Sequence, residues 1–184
     1  MINKQNYTNI ITTVSNIVTL DYQQEVGCQF IIDQATFDDV MAAKNWPLVG
    51  HIKDGYGNMQ WLKIFQRQKH KSKRFMCAIR SSDQGCLLGL MAGRVSANDA
   101  DGNKVSIDYI ERSANAPELK GHAIAIAVKF AYVLADLLGS DYVKVNNPAS
   151  KLIDTYQLQM PESHYVNFRK ASYLIAPVNL PLTA

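Results

Sequence analysis

The segment best suited to chemistry joins a predicted strand to a long apolar helix. It spans residues 116–125 and reads Ala-Pro-Glu-Leu-Lys-Gly-His-Ala-Ile-Ala. The first backbone N–H groups of a helix have no acceptor within the helix, and they favour anions. Small side chains at such a position let a phosphate approach the backbone closely. The segment therefore predicts an anion-binding site at the start of the helix.

Apolar periodicity and turn residues predict the elements that position this segment. An amphipathic helix in the first 25 residues comes first, followed by a strand at 27–34 and helices at 36–44 and 59–71. Three strands separated by turn sequences form an antiparallel meander at 74–80, 86–96 and 105–115. The long helix covers 117–139, and then come a strand at 141–146, a helix at 148–158 and a final strand or hairpin at 164–175. This order predicts one α/β domain with helices packed on a mixed sheet.

Together with this order of elements, the segment resembles a signature of the GCN5-related N-acetyltransferase (GNAT) superfamily. The signature, P-x-x-[R/Q]-x-x-G-x-[G/A], lies between the fourth strand and the third helix of that family. Its gap-free match here uses Pro117, Lys120, Ala123 and Ala125. Two of these depart from the family, because Lys120 stands for an Arg or Gln and Ala123 stands for a Gly. The methyl group of Ala123 would crowd a bound pyrophosphate.

The resemblance covers about residues 27–176 and implies a GNAT-like α/β fold with a mixed, mainly antiparallel central sheet flanked by helices. It implies an acyl-CoA N-acyltransferase-like domain at 26–184. Residues 1–25 lie outside the resemblance, and their apolar spacing predicts a separate helical segment, either a cover or a contact surface. The resemblance also implies acetyl-CoA as the acyl donor, with its pyrophosphate on backbone amides and His122 beside it. The implied cofactor-binding residues are Ser113, Asn115, Lys120, Gly121, His122, Ala123, Ile124, Ala125 and Asn147.

The strand before the segment carries a candidate general base, Glu111. Members of the family often use a Glu on this strand to deprotonate the acceptor amine, and an amine with a pKa of about 10 needs such a base at neutral pH. Strict alternation divides the side chains of the strand between two faces. One face has Tyr109, Glu111, Ser113 and Asn115, and the other has Asp108 and Arg112. If Asn115 pairs with the pantetheine arm, Glu111 faces the acceptor; otherwise Glu111 is a solvent-facing residue of a half-exposed strand. The resemblance also implies backbone amides near 113–115 as donors to the oxyanion.

Tyr156 is the candidate general acid. Many family members have a Tyr on the corresponding helix that protonates the departing thiolate, and a phenol is acidic enough for that task. A nearby Asn holds the pantetheine, which implies Asn147 here. The family continues from this Tyr into a Gly-Phe pair, whereas this chain continues with Gln-Leu-Gln-Met-Pro. The alternative is a core tyrosine with its hydroxyl at the rim.

Charge is nearly balanced over the whole chain but not locally. The 184 residues include 19 Lys and Arg against 16 Asp and Glu, and the net charge of +3 is too small for a dedicated nucleic-acid binder. Residues 63–74 form a basic segment without an acid, and its cations are Lys63, Arg67, Lys69, Lys71, Lys73 and Arg74. Such a segment favours either an anionic partner, RNA or an acidic protein, or a solvated helix face.

Other patterns exclude several classes of protein. The three cysteines are odd in number and lie in apolar stretches, which favours a reducing compartment, most simply the cytoplasm. We expect no metal site, because His and Cys residues lack ligand spacing, and no membrane span or signal peptide. The chain has no G-x-S-x-G, no Walker A loop and no G-x-G-x-x-G after a strand.

Two hypotheses remain. The first is an N-acyltransferase that moves an acetyl group from acetyl-CoA to a primary amine of a small molecule or protein by direct attack. The second is a non-catalytic module on the same fold that contacts an anionic partner through the basic segment. In that case Ala123 and the missing Gly-Phe pair mark a decayed cofactor site. The acceptor and the oligomeric state, for which a homodimer is one option, stay open.

Overall fold

The computed structural model describes residues 4–26, 29–49, 57–97, 102–168 and 171–178. The helices of this part of the chain are α1 (Lys4–Val26), α2 (Phe37–Ala43), α3 (Trp61–Gln68), α4 (Ala123–Leu138) and α5 (Ile153–Gln159). The strands are β1 (Phe30–Gln34), β2 (Arg74–Ser81), β3 (Leu87–Ser96), β4 (Lys104–Arg112), β5 (Tyr142–Asn146), β6 (His164–Phe168) and β7 (Ala171–Pro177). Short 3-10 turns, Pro117–Leu119 and Ser150–Leu152, precede α4 and α5.

The strands form one seven-stranded sheet in the order β1-β2-β3-β4-β5-β7-β6. Strands β4 and β5 run parallel, and the other described pairs are antiparallel. The predicted mixed, mainly antiparallel sheet is therefore confirmed. The final strand or hairpin is the hairpin β6–β7, and β7 lies between β6 and β5.

Helices cover both faces of the sheet. The main core lies on the face covered by α1 and α4, where Val14, Val18, Phe130 and Leu134 are fully buried. A smaller core lies on the opposite face, under α2 and α3, and Trp61 is 2% exposed there. The N-terminal helix contributes four buried side chains, Ile11, Val14, Val18 and Tyr22, to the main core.

Local hydrogen bonds explain where several elements begin and end. Thr36 caps α2, because its hydroxyl accepts from the Asp39 N–H while the Asp39 carboxylate accepts from the Thr36 N–H. Gly139 ends α4 in the left-handed conformation, with φ of 60°. The predicted strand at 27–34 begins at Phe30, and residues 27 and 28 lie outside the described part of the chain.

Two predicted boundaries next to the candidate anion site are wrong. The strand expected over 105–115 ends at Arg112, because the Ser113 N–H donates to the Leu88 carbonyl and the Ser113 hydroxyl accepts from the Asn115 N–H, which turns the chain. The helix expected over 117–139 begins at Ala123, because Gly121 has φ of +86°, which no helical residue adopts. The helix expected over 148–158 begins with a 3-10 turn, and α5 proper starts at Ile153.

Candidate active site

A cleft opens where β4 and β5 separate. The two strands pair only from Lys104 with Tyr142 to Ile107 with Val145, and β4 runs on to Arg112 without β5 beside it. The space between them is a cleft of about 450 Å³. Its lining includes the end of β4, the start of α4, residues 145–149 and one face of α5. The fold thus brings the chemically promising segments to one place.

A β-bulge lies at the point of separation. The β3–β4 register shifts by one residue between the pairs Ala92–Tyr109 and Gly93–Ile107, so no residue of β3 pairs with the backbone of Asp108. Ile107 and Ile110 consequently both pack against the main core although they are three residues apart. Strict alternation, which placed Asp108 on the face opposite Tyr109 and Glu111, is therefore wrong along this strand.

Asp108 ties the separating strands together. Its Oδ1 accepts from Asn146 Nδ2 of β5 at 2.6 Å, just beyond the last backbone pair of the two strands. Its Oδ2 accepts from Arg74 of β2 at 3.3 Å and lies 3.6 Å from Arg94 of β3. Sequence analysis does not identify Asp108 or Asn146 as site residues, because a period-two pattern cannot reveal a bulge.

The free backbone groups of β4 differ from those expected. The amides of Ser113 and Asn115 already donate to the Leu88 carbonyl and the Ser113 hydroxyl, so they are not available to an oxyanion. In an antiparallel pair, hydrogen-bonded and non-bonded residues alternate. The Ser113 bond to β3 therefore leaves the N–H groups of Ile110 and Arg112 directed toward the open side of the strand. The side chains of Ser113, which is buried, and Asn115, which is exposed, do not line the cleft.

The start of α4 presents unused N–H groups to the cleft. In the turn before it, the amides of Lys120 and His122 donate to the carbonyls of Pro117 and Leu119. The first-turn amides of Ala123, Ile124 and Ala125 have no acceptor within the helix, and no side chain caps the helix. Lys120, Gly121, Ala123 and Ile124 line the cleft.

The small residues at this mouth lie two positions earlier than the gap-free match assumed. Gly121 and Ala123 line the cleft with G-x-A spacing, whereas Ala125 does not line it. A Cβ at position 121 would contact nothing within 4 Å, so space does not require a glycine there. The positive φ does, because residues with a side chain rarely adopt it. Ala123 is itself one of the lining residues, so crowding of a bound pyrophosphate by its methyl group stays a prediction.

The side chain of His122 is directed toward the main core rather than into the cleft. Its Nδ1 lies 2.7 Å from the hydroxyl of Tyr22 on α1, and its ring contacts the rings of Tyr22 and Phe30. The lining of the cleft does not include it. The His122 side chain therefore packs against Tyr22 and Phe30 and does not face the expected phosphate position. Only its place at the start of α4 agrees with the expectation.

Glu111 is half-buried in the wall of the cleft. Its Oε2 accepts from Trp61 Nε1 at 2.6 Å and from the Met59 N–H at 3.3 Å. Burial raises the pKa of the Glu111 carboxyl above its ordinary value, although these hydrogen bonds act in the opposite direction. The residue also lines a second pocket of about 260 Å³, beside Trp46 and Trp61, so that it lies where two openings meet.

Tyr156 and Asn147 line the opposite wall. Tyr156 is 3% exposed, and burial raises the pKa of its phenol above the ordinary value. Asn147 has φ of +47°, and its Oδ1 accepts from the Ser172 N–H, which leaves its side-chain NH₂ as the available group. Glu111 on β4 and Tyr156 on α5 thus line the same cleft. Their roles as base and acid stay predictions.

The basic segment is divided between two environments. Lys63 lines the smaller pocket beside Glu111, and Arg67 is exposed on α3. The other four cations, Lys69, Lys71, Lys73 and Arg74, line a larger cavity that shares no lining residue with the cleft.

Three further findings concern the described residues. No group of three or more His, Cys, Asp or Glu side chains among them could hold a metal ion. None of the described helices is both long enough and apolar enough to cross a membrane. Cys77, which is buried, and Cys86, which is exposed, are free thiols.

Comparison with known proteins identifies the fold. No family model matches the sequence, and no curated protein matches it significantly. Solved structures match over most of the chain. An acetyltransferase from Thermus thermophilus has a TM-score of 0.61 at 12% identity, covering 81% of this chain and 97% of that one. The ribosomal-protein-S18-alanine N-acetyltransferase of Escherichia coli has a TM-score of 0.57 at 10% identity, covering 84% and 97%.

A third match is a spermidine N-acetyltransferase from Vibrio cholerae in complex with CoA and spermine. It has a TM-score of 0.54 at 11% identity and covers 81% of this chain and 95% of that one. Identities this low establish the fold. The chain therefore has the fold of the GCN5-related N-acetyltransferases, as its sequence predicted.

Proposed function

We propose that this protein is an acetyl-CoA-dependent N-acyltransferase that moves an acetyl group to a primary amine by direct attack. The observation that carries the proposal is the cleft itself, in which the open side of β4 meets the unused amides at the start of α4. A thioester with a diphosphate and an extended amide-containing arm needs these two kinds of donor. Solved proteins of the same fold that act on spermidine or on a ribosomal-protein alanine support an amine as the acceptor.

The start of α4 would bind the diphosphate of the acyl donor. The N–H groups of Ala123 and Ile124 point outward at the positive end of the helix dipole, and Lys120 adds a charge at the same mouth. Gly121 has no side chain to cover the backbone there, and Ala123 has only a methyl group. The free N–H groups of Ile110 and Arg112 would then pair with the arm and with the oxyanion that forms at the thioester carbonyl.

Glu111 and Tyr156 would move the protons. Glu111 removes a proton from the acceptor's ammonium group, directly or through a water molecule, and the neutral amine then attacks the thioester carbonyl. The raised pKa of Glu111 makes it a better base for this step at neutral pH. Tyr156 donates the phenolic proton to the sulfur as the carbon–sulfur bond breaks, so that a neutral thiol leaves. A decayed site would be free to lose Glu111 and Tyr156, but both are present and line the cleft. The non-catalytic alternative is therefore not favoured. The free thiols support the cytoplasm as the compartment.

A thermal shift experiment tests acyl-donor binding. Acetyl-CoA at about 100 times its dissociation constant should stabilise the fold by about 2.7 kcal/mol, which raises the Tm by about 5–11 °C for a chain of this size. Coenzyme A should act likewise, and ATP should not.

A pair of alanine substitutions locates the site. Ala123→Asp places a negative charge at the start of α4, where it suits the helix dipole but repels a diphosphate. Ala114→Asp makes the same change at an exposed turn outside the cleft. The Ala123 variant should lose the shift with acetyl-CoA and the Ala114 variant should keep it. No shift in the unmodified protein, or equal shifts in both variants, would contradict the proposal.

A further inference from the structure

A cavity about twice as large as the cleft lies at the opposite end of the sheet. Strand β2 begins there at Arg74, β3 ends there and β4 begins there, whereas the cleft opens where β4 ends. The volume of this cavity is about 910 Å³. That volume is near the upper end of the range of about 300–1,000 Å³ that small-molecule sites occupy. We call this space the distal cavity.

The walls of the distal cavity are mainly apolar and come from both faces of the sheet. Ile11 of α1 and Leu138 of α4 contribute from the main core side, and Phe65 of α3 contributes from the other. Phe75 of β2 lies between them and is 3% exposed. These rigid elements present a preformed apolar surface that a ligand would remove from water.

The charged residues in the described lining of the cavity are all positive. Lys69, Lys71, Lys73 and Arg74 line it, and no acidic residue is among its described lining residues. Arg74 is paired with Asp108, and the described ion pairs do not include the three lysines. An apolar interior with a one-signed cationic rim attracts an anion that carries an apolar body.

The wall also contains polar groups that the described protein residues leave unused. The hydroxyl of Tyr7 and Oε1 of Gln68 are buried, and neither has a hydrogen-bond partner in the described part of the chain. Both residues line the cavity. Buried polar atoms nearly always have a hydrogen-bond partner, so these two atoms suit a wall that a bound ligand contacts better than an ordinary core surface.

We propose that the distal cavity is a second binding site, for a small organic anion with an apolar body such as a medium-chain carboxylate. The carboxylate lies among Lys69, Lys71 and Lys73, and the chain extends toward Ile11, Phe75 and Leu138. This site does not depend on the acyl-donor cleft, because the two share no lining residue.

Isothermal titration calorimetry with laurate tests the proposal. Laurate should bind at one site per chain, and binding should weaken as the salt concentration rises. Dodecyltrimethylammonium, which has the same chain and the opposite charge, should bind much more weakly. Saturating coenzyme A should leave laurate binding unchanged.

Two charge reversals within the basic segment locate the anion. Lys71→Glu changes an exposed residue that lines the cavity, and Arg67→Glu makes the same charge change at an exposed residue that does not. Lys71→Glu should weaken laurate binding about tenfold, since it replaces an attraction with a repulsion at short range. Arg67→Glu should leave the affinity within about twofold.

Three results would overturn the assignment. Displacement of laurate by coenzyme A would put the probe in the cleft. Equal losses in the two variants would make the basic segment a diffuse anionic surface, as for RNA. Equal binding of the cationic surfactant would reduce the cavity to a general apolar surface.

Discussion

Trp61 donates a hydrogen bond of 2.6 Å from its indole N–H to Oε2 of Glu111, across 50 positions of the chain. The indole is 2% exposed and fixed in the smaller core, so the carboxylate of Glu111 is held by a rigid partner. This contact favours the ionised carboxylate, and burial opposes it. Because burial has the larger effect, Glu111 is a stronger base than an exposed glutamate while its position stays fixed.

Removing the indole donor should make the Glu111 carboxylate harder to ionise. In Trp61→Phe the pKa of Glu111 rises further, so the acidic limb of the kcat/KM profile moves to higher pH, and activity falls more at low pH than at high pH. Trp46→Phe is the matched control, because Trp46 lines the neighbouring pocket, whereas Trp61 and Met59 are the donors to Oε2 of Glu111. Full pH–rate profiles decide the matter, and identical limbs in both variants would argue against Trp61 as a positioning residue.

The same carboxylate should impose a pH dependence on stability. Its pKa is higher in the folded than in the unfolded state, so the unfolded state loses this proton first as the pH rises. Its contribution to the free energy of unfolding is therefore fully present at acidic pH and is lost as the pH rises through the folded pKa. Glu111→Gln removes this titration, so its stability relative to the unmodified protein should increase from about pH 4 to neutral pH.

Urea unfolding of the two proteins at several pH values measures this difference. Glu118→Gln, at an exposed position, controls for the loss of one negative charge. A stability difference between Glu111→Gln and the unmodified protein that stays constant across this range would show that the carboxyl is not destabilised by burial.

Turnover should depend on Glu111 more than acyl-donor binding does. Glu111→Gln keeps the size of the side chain and one acceptor for Trp61 but removes the base, so kcat should fall about 10²–10⁴-fold. The dissociation constant of acetyl-CoA should change little, because the proposed function places the diphosphate at the free amides of α4 and not at Glu111. Steady-state kinetics beside a direct binding titration separates the two effects, and equal losses in both would indicate a structural role.

Much of the fold follows from local sequence patterns, whereas the details of the site depend on distant contacts. The order of elements follows from periodicity and turn residues, and Gly139 ends α4 as expected. The bulge at Asp108 does not, because it depends on which residues of β3 lie opposite. Gly93 lies next to the shifted pairing, and a Cβ there would collide with the Ser106 carbonyl oxygen.

The partners of the site residues were equally inaccessible to sequence analysis. The Trp61 contact with Glu111 joins two elements that no local pattern connects. His122 was assigned to the phosphate by its place in the motif, but Tyr22 lies 100 positions earlier and holds its ring toward the main core. Sequence spacing places a residue on an element, and packing between elements decides where its side chain goes.

Tyr156 offers a test of proton donation that leaves the fold intact. Tyr156→Phe keeps the buried ring and removes only the hydroxyl, so the Tm should change by no more than a few degrees. If the phenol protonates the departing sulfur, kcat should fall about 10- to 100-fold. An acyl donor with a more acidic thiol needs less protonation, so the ratio of the two enzymes' rates should shrink with such a donor. A ratio that does not depend on the leaving group would remove Tyr156 from the proton transfer.

Asp108 should contribute more to stability than an ordinary surface ion pair. Arg74 and Arg94 lie directly opposite each other on β2 and β3, and the Asp108 carboxylate accepts from Arg74 and lies near Arg94. Asp108→Asn keeps the shape but leaves two like charges facing each other. The side chain of Asp108 is only 10% exposed, so we expect a loss of about 2 kcal/mol.

Asp33 provides the comparison, because it pairs with Arg80 through a side chain that is 48% exposed. Asp33→Asn should cost less than about 1 kcal/mol. Urea unfolding at low and at high salt measures both variants. The larger loss at Asp108 should be accompanied by weaker acetyl-CoA binding, because Asn146 then loses its charged acceptor where β4 and β5 separate. A variant that loses stability but binds acetyl-CoA normally would show that this tie supports the sheet and not the cleft.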